Sequence, residues 1–322
     1  MQSSWRPQAS QELLKTRARL LQSIRAFFAE REVLEVETPV LSRAAITDPQ
    51  LESFTAQFSN TEYFLHTSPE FYMKRLLAAG SGDIYQLARV FRVDEQGRNH
   101  NPEFTLLEWY RLGFTHQQLM DEIQTLINHV VTQLKHSAEL SFTRLSYQQT
   151  FLNALNIDPL KVTAEDLKQC AIKHSIEIPQ GMNVNDKDMW LDWLMVCCIA
   201  PGFSKDSFTF LYDYPASQAA LARVSEDDTR VAHRFELFYG ELELGNGFYE
   251  LTNAAEQLQR FNNENRLREQ RGQKVMPVDM DLIAALESGL PDCSGVAIGV
   301  DRLLMVLTGA SSISEVMGFV TP

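Results

Sequence analysis

The stretch Val90-Phe-Arg-Val-Asp-Glu-Gln-Gly-Arg-Asn-His-Asn-Pro-Glu-Phe-Thr-Leu-Leu-Glu-Trp-Tyr110 reads as a strand, a ten-residue polar loop and a second strand. Any fold for this chain must therefore hold a long hairpin, and a polar loop carried between two strands concentrates functional groups. Arg92, where the first strand ends, can grip a phosphate through two parallel N–H donors, and Phe104, where the second begins, offers a flat face to a purine. Glu108 and Tyr110 are two residues apart, so they point to one face of the second strand and can together receive an ammonium. The plainer alternative is a surface hairpin with ordinary charged residues.

Two further stretches bear on that choice. In Gly295-Val-Ala-Ile-Gly-Val-Asp-Arg-Leu-Leu-Met305 an apolar strand punctuated by glycines runs through Asp301-Arg302 into a helix, and an arginine at a helix start suits a terminal phosphate. The competing reading is a buried strand and helix with a structural Asp-Arg pair. In Phe235-Glu-Leu-Phe-Tyr-Gly-Glu-Leu-Glu-Leu-Gly-Asn-Gly-Phe-Tyr-Glu-Leu251, acids at 236, 241, 243 and 250 flank Gly245-Asn-Gly247, read as the turn of a second hairpin. Two carboxylates brought together there can share Mg2+ with nucleotide phosphates. Acids on a solvated face are the commoner fate of such a run. Taken together, Arg92, Arg302 and the carboxylates describe a triphosphate site beside an acidic pocket. That arrangement fits adenylate formation, where a substrate carboxylate attacks the α-phosphorus and catalysis rests on positioning and charge stabilisation.

The rest of the chain is consistent with one catalytic domain over residues 1–322. Leu14, Ala18, Leu21, Ile24 and Phe28 mark an amphipathic helix over residues 11–29, and residues 33–39 read as a strand ending at Pro39. Further strands are expected at 63–66, 84–91, 104–110, 208–212, 234–239 and 296–300, and helices at 70–79, 117–135, 164–174, 186–198, 254–270 and 279–289. Strands and helices mixed without a βαβ rhythm indicate an α+β fold with a mainly antiparallel sheet flanked by helices. Residues 136–201 carry none of the motifs and read as a helical insert. No run of 18 apolar residues and no signal-peptide order is present, so a cytoplasmic protein without a membrane span is expected. Cys170, Cys197, Cys198 and Cys293 have no zinc-site spacing. A formal net charge of −13 is opposite to the basic footprint of nucleic-acid binding.

Residues 25–41, 90–110 and 295–305 resemble, in order, motifs 1, 2 and 3 of the class II aminoacyl-tRNA synthetases. Within the class, Thr67-Ser-Pro-Glu70, His100-Asn-Pro-Glu-Phe104 and Gly245-Asn-Gly-Phe248 followed by Glu250-Leu251 are similar to segments of lysyl-tRNA synthetase. The resemblance implies an ATP site in which Arg92 contacts the α-phosphate, Asn101 and Phe104 hold the adenosine end, and Arg302 holds the γ-phosphate. Val93, Asp94, Glu243, Leu244 and Gly299 would complete it, with Glu236 and Glu243 on Mg2+. Ser68, Pro69, Glu70, Glu108, Tyr110, Asn246, Glu250 and Ala297 would line the amino-acid pocket, with Tyr110 and Glu250 at the side-chain amine. Residues 25–41 would form a homodimer interface.

Two departures stand out. The family's Phe-Arg-x-Glu reads Phe91-Arg-Val-Asp94, and its Gly-x-Gly-x-Gly reads Gly295-x-Ala297-x-Gly299. An added methyl in a tight pocket shifts discrimination by about 1 to 3 kcal/mol. Only about 24 residues precede motif 1, too few for the anticodon-binding OB-fold of a full lysyl-tRNA synthetase. In both respects the sequence is similar to stand-alone paralogues that activate (R)-β-lysine with ATP and pass it to a lysine ε-amine of elongation factor P. The resemblance thus implies elongation factor P as acceptor and makes tRNA an unlikely one. A minimal tRNA-charging enzyme and a synthetase-like regulator without catalysis remain the alternatives.

Overall fold

A computed structural model describes residues 5–93, 95–134 and 140–321. The elements run α1 (Gln11–Ala29), β1 (Leu34–Glu35), β2 (Leu41–Ser42), β3 (Thr55–Phe58), β4 (Thr61–Leu65), α2 (Glu70–Ala78), β5 (Ile84–Phe91), β6 (Glu103–Leu112) and α3 (His116–Gln133). Next come β7 (Ser141–Ser146), α4 (Tyr147–Leu155), α5 (Ala164–Lys173), α6 (Lys187–Leu194), β8 (Ser207–Pro215), β9 (Val231–Tyr239) and β10 (Leu242–Tyr249). The chain finishes with α7 (Ala254–Gln270), α8 (Met280–Gly289), β11 (Cys293–Gly299), α9 (Val300–Thr308) and α10 (Ile313–Val316). It divides into two compact units, one of Met1–Ser137 with Thr252–Pro322 and one of Ala138–Leu251. The fold class is α+β.

In the first unit β5, β6 and β11 pair antiparallel, and β1 adds to β5 in parallel. The strand expected over 33–39 shrinks to two paired residues. Val36 N–H still donates to the Tyr85 carbonyl, but Pro39 has no N–H to continue a ladder. The hairpin of β5 and β6 is in register from Ile84 opposite Tyr110 to Phe91 opposite Glu103. β6 is buried on both faces, and the period of two sorts its side chains. Leu107 and Trp109 share one face, and Trp109 meets α1 and α3: its ring lies edge-on to Phe28 at 5.5 Å and its Nε1 donates to Glu122 Oε2 at 3.0 Å. Leu106, Glu108 and Tyr110 take the opposite face.

Helix α7 anchors the loop over residues 43–53. Arg268, fully buried, donates Nε to the Lys274 carbonyl (2.6 Å), Nη1 to the carbonyls of Asp48 (2.9 Å) and Leu51 (3.1 Å), and Nη2 to Glu52 (2.5 Å). One turn earlier Thr47 donates a short hydrogen bond to Glu264. Burial pushes the Glu264 carboxyl up to about 7, assisted by Asp48 and opposed by the Thr47 bond and Arg260. Its folded pKa thus exceeds the unfolded value of 4.5, so the folded chain holds the extra proton and stability falls as pH rises from about 4.5 to about 7. Glu264→Gln keeps the acceptor and removes the charge. It is expected to raise the thermal midpoint at pH 8 and leave it nearly unchanged at pH 5; an equal shift at both pH values would contradict a buried, titrating Glu264.

In the second unit β8, β9 and β10 pair antiparallel and β7 joins β8 in parallel. The stretch expected to be a helical insert begins, among its described residues, with strand β7, followed by α4, α5 and α6. Tyr147, Phe151, Leu167, Trp190, Leu191 and Leu194 bury the apolar faces of these helices with Leu211 and Phe238. Residue 136, the expected start of the insert, lies outside the described residues. The turn of the second hairpin is not at Gly245-Asn-Gly247. Those residues lie within β10, and the chain reverses at Gly240, where φ is +53°, a conformation that glycine adopts without a Cβ clash.

Candidate active site

The chemistry-bearing side chains of the first unit fall into two groups. At the end of β5 the Arg92 N–H donates to the Pro102 carbonyl and closes the polar loop, and Val93 N–H reaches the Glu52 carbonyl. The Arg92 guanidinium lies over the Phe104 ring at 5.1 Å. Arg302, in the first turn of α9, comes into the same neighbourhood because Asp301 pins that turn. Asp301 accepts from Arg17 Nη1 (2.5 Å) and from the Thr105 N–H of β6 (2.7 Å). A carboxylate in the first turn also suits the helix dipole. The Asp-Arg pair considered from the sequence is therefore not made between neighbours: Asp301 takes Arg17, and Arg302 turns to the loop, with Nε on the Asn99 carbonyl at 3.2 Å.

Between the two arginines stands Glu95. Its carboxylate is 3.2 Å from Arg92 Nη1, 3.6 Å from Arg302 Nη2 and 3.3 Å from His100 Nε2. Desolvation and the Arg302 charge hold the His100 pKa below its ordinary value, against the pull of Glu95. Two guanidinium groups converging on one carboxylate form a place for an anion, and a phosphate would have to displace Glu95 to use both. Glu95→Gln weakens that internal competitor. It is expected to lower the KM for ATP by roughly three- to tenfold through a larger competent fraction, with little change in kcat. An unchanged or raised KM for ATP would show that Glu95 is no competitor.

The Asn101 amide faces the C-terminal segment: Nδ2 donates to the Glu103 carbonyl (2.6 Å) and Oδ1 accepts from the Thr321 N–H (3.0 Å). Asp94 lies outside the described residues. Gly299 is the N-cap of α9.

The second group lies on the buried face of β6. Tyr110 O–H donates to Glu108 Oε1 at 2.8 Å, as the two-residue spacing required. Strand register sets Ala297 and Gln86 directly opposite Glu108, on either side of it, and the Ala297 methyl packs against Ala88, Val90 and Leu106. Ser68, Pro69 and Glu70 form the start of α2, where Ser68 Oγ accepts the Glu70 N–H at 3.1 Å. Glu70 pairs with Lys74 one turn on, Oε1 to Nζ 2.7 Å, and Lys74 is buried, so the pair holds the Glu70 carboxylate in place. Ser68 and Glu70 line a pocket with Ser42, Ser53, His66 and Thr67.

In the second unit, Glu236, Glu243, Leu244, Asn246 and Glu250 lie on or next to the β9–β10 hairpin. Leu244 is buried at a bulge between Glu243 and Gly245, Asn246 sits opposite Glu236, and Glu250 is wholly buried beside Ala222. Glu236 is committed within the protein: Oε2 accepts from Tyr214 O–H and Oε1 from Arg234 Nη2, both at 2.6 Å. Each Glu236 oxygen accepts one hydrogen bond and keeps a lone pair, so the donor set of Glu236 and the exposed Glu243 is compatible with an Mg2+ bound to the nucleotide. Glu95, Lys74, Arg17 and Arg234 did not emerge from the sequence. Three of them had a local signal: Arg234 shares a strand face with Glu236, Lys74 lies one helical turn from Glu70, and Glu95 is three residues from Arg92.

The geometry is that of a synthetase core: a motif arginine at a hairpin loop, a second at a helix start, and acids on the adjoining strand face. A model of the tRNA synthetases class II (D, K and N) matches residues 3–321, and the chain belongs to that family. Membership implies use of ATP. Along nearly its whole length the chain is similar to proteins named elongation factor P (R)-β-lysine ligase. It is 49% identical to that of Vibrio cholerae over 99% of this chain and 98% of the relative. Identity is 47% to that of Vibrio campbellii (100% and 99% covered) and 48% to that of Yersinia enterocolitica (98% and 97%). Among the described residues no helix is long and apolar enough to cross a membrane.

Proposed function

We propose that the protein activates (R)-β-lysine with ATP as an adenylate and transfers the acyl group to a lysine ε-amine of elongation factor P. The observation that carries the reading is the convergence of Arg92 and Arg302 on Glu95, a ready anion site on the same hairpin as the Glu108–Tyr110 pair. The names of relatives nearly half identical over the full chain supply donor and acceptor. Arg92 and Arg302 would take the phosphates and Phe104 the adenine, with Val93, Asp94, Asn101, Leu244 and Gly299 around the nucleotide. Glu236 and Glu243 are the acids that would approach a magnesium ion bound to the nucleotide.

By the family resemblance, Glu108 and Tyr110, with Ser68, Pro69 and Glu70, would receive the amino-acid substrate in the first unit, and Glu250 and Asn246 would be the second unit's contribution to its recognition. Ala297, opposite Glu108 in the strand register where the family has glycine, would narrow that face by a methyl and so favour the isomer whose amine is displaced by one methylene from its α position. The insert over residues 136–201 belongs to the same catalytic domain in this reading. The protein would act in the cytoplasm on a translation factor, as a homodimer through residues 25–41.

ATP–pyrophosphate exchange should be strongest with (R)-β-lysine and weaker with α-lysine, and mass spectrometry of elongation factor P incubated with protein, ATP and (R)-β-lysine should show the added mass on one lysine. Exchange with neither lysine would end the adenylate reading. Charging of bulk tRNA without modification of elongation factor P would favour the tRNA-charging alternative.

A further inference from the structure

His66, the residue after β4, is tied through its backbone on both sides. Its N–H donates to the Val40 carbonyl at 3.0 Å, and its carbonyl accepts from the Phe91 N–H at 3.1 Å. The ring is fixed as well. Nε2 stands 2.7 Å from the Arg89 carbonyl, and a carbonyl can only accept, so Nε2 carries the proton. Burial holds the His66 pKa below its ordinary value, against the pull of that bond, and keeps the ring neutral at neutral pH. Nδ1 is therefore a bare acceptor. It is buried, and among the described residues it has no hydrogen-bond partner.

Only 8% of His66 is exposed, and it lines the same pocket as Ser68 and Glu70. A buried acceptor without a donor is costly, so one at a pocket wall points to a ligand that donates. The neighbouring groups are already engaged: Ser68 Oγ accepts the Glu70 N–H, and the charge of Glu70 is offset by buried Lys74 at 2.7 Å. A hydroxyl would bring one donor to this wall, whereas an ammonium brings three, enough for Glu70 and a neutral acceptor together. We infer that His66 Nδ1 accepts a hydrogen bond from the β-amine of (R)-β-lysine, which makes His66 a substrate-binding residue that selects for that amine. The inference rests on the amino-acid-activating reading above, in which Tyr110 and Glu250 take the terminal amine and the amine nearer the carboxylate is left to this pocket.

Two substitutions separate the two ring nitrogens. His66→Gln carries its amide nitrogen as many bonds from the backbone as Nε2, so it keeps the donor to Arg89 and loses the acceptor; His66→Asn carries its amide oxygen at the place of Nδ1 and loses the Arg89 bond instead. Calorimetry with (R)-β-lysine, the analogue lacking the β-amine and the analogue lacking the terminal amine reads the assignment. His66→Gln should weaken (R)-β-lysine and the analogue lacking the terminal amine roughly tenfold or more, and leave the analogue lacking the β-amine within about twofold. His66→Asn should bind (R)-β-lysine within about threefold of wild type although its thermal midpoint falls. Equal weakening of all three ligands in His66→Gln, or equal losses of (R)-β-lysine in both variants, would overturn the proposal in favour of a structural role. Selective loss of the analogue lacking the β-amine would assign Nδ1 to the terminal amine and overturn it too. A measurement on wild type serves if a variant fails to fold: nitrogen NMR of the labelled ring should show the bare nitrogen of His66 shifting upfield with (R)-β-lysine and not with the analogue lacking the β-amine, and no shift with either would overturn the proposal. Wild-type protein that binds (R)-β-lysine without exchanging pyrophosphate overturns only the activation reading, and the ligand comparison still decides His66.

Discussion

Arg302→Ala is expected to abolish ATP–pyrophosphate exchange, with a loss of about 100-fold or more in kcat/KM, because in the adenylate-forming reading it removes a charged donor to the phosphates. The local fold should survive. What ties α9 to β6 and α1 is Asp301, through Arg17 and the Thr105 N–H, and none of those bonds involves Arg302. The variant should therefore stay folded, losing about 1 kcal/mol with the hydrogen bond to the Asn99 carbonyl. Asp301→Ala is the contrasting variant: it leaves the Arg17 guanidinium and the Thr105 N–H without their acceptor, and should lower both stability and activity. Wild-type exchange rates in Arg302→Ala would show that α9 presents nothing to the nucleotide.

The largest effect on stability is expected from Arg268→Ala. The guanidinium is wholly buried, and its removal strands three backbone carbonyls and Glu52. Losing one partner of such a network costs about 3–5 kcal/mol, mainly as desolvated acceptors with nothing to accept. Urea unfolding should show a lower midpoint with an unchanged slope. Because the same network holds residues 48–52 against α7, and Val93 N–H rests on the Glu52 carbonyl, exchange activity should fall at temperatures where the variant is still folded. A stability loss under about 1 kcal/mol would mean that water replaces the guanidinium at those carbonyls.

Much of the architecture was legible because it is encoded over short range. Apolar spacing placed α1 where it is, and the strand–loop–strand pattern of residues 90–110 gave the β5–β6 hairpin. The period of two put Glu108 and Tyr110 on one face, where they meet at 2.8 Å. A Gly-Asn-Gly triplet misled in the opposite way. Local turn chemistry pointed to residues 245–247, while pairing with β9 drew them into the strand and left Gly240 to make the turn. Strand β7 went unseen because its polar alternation becomes a strand only beside β8.

Which residue types and motifs are present, and the class of chemistry they can do, the sequence determined by itself, because spacing along a helix or strand is set by backbone geometry. Who pairs with whom was decided only by the tertiary structure. Arg17 reaches Asp301 across 284 positions of sequence, Arg268 reaches Glu52 across 216, and Glu236 accepts from Tyr214 and Arg234. An ion pair is a statement about distance in space and about desolvation, and neither is a function of local sequence. The same holds for Glu95: its carboxylate is one acid among many until the fold brings it between two arginines.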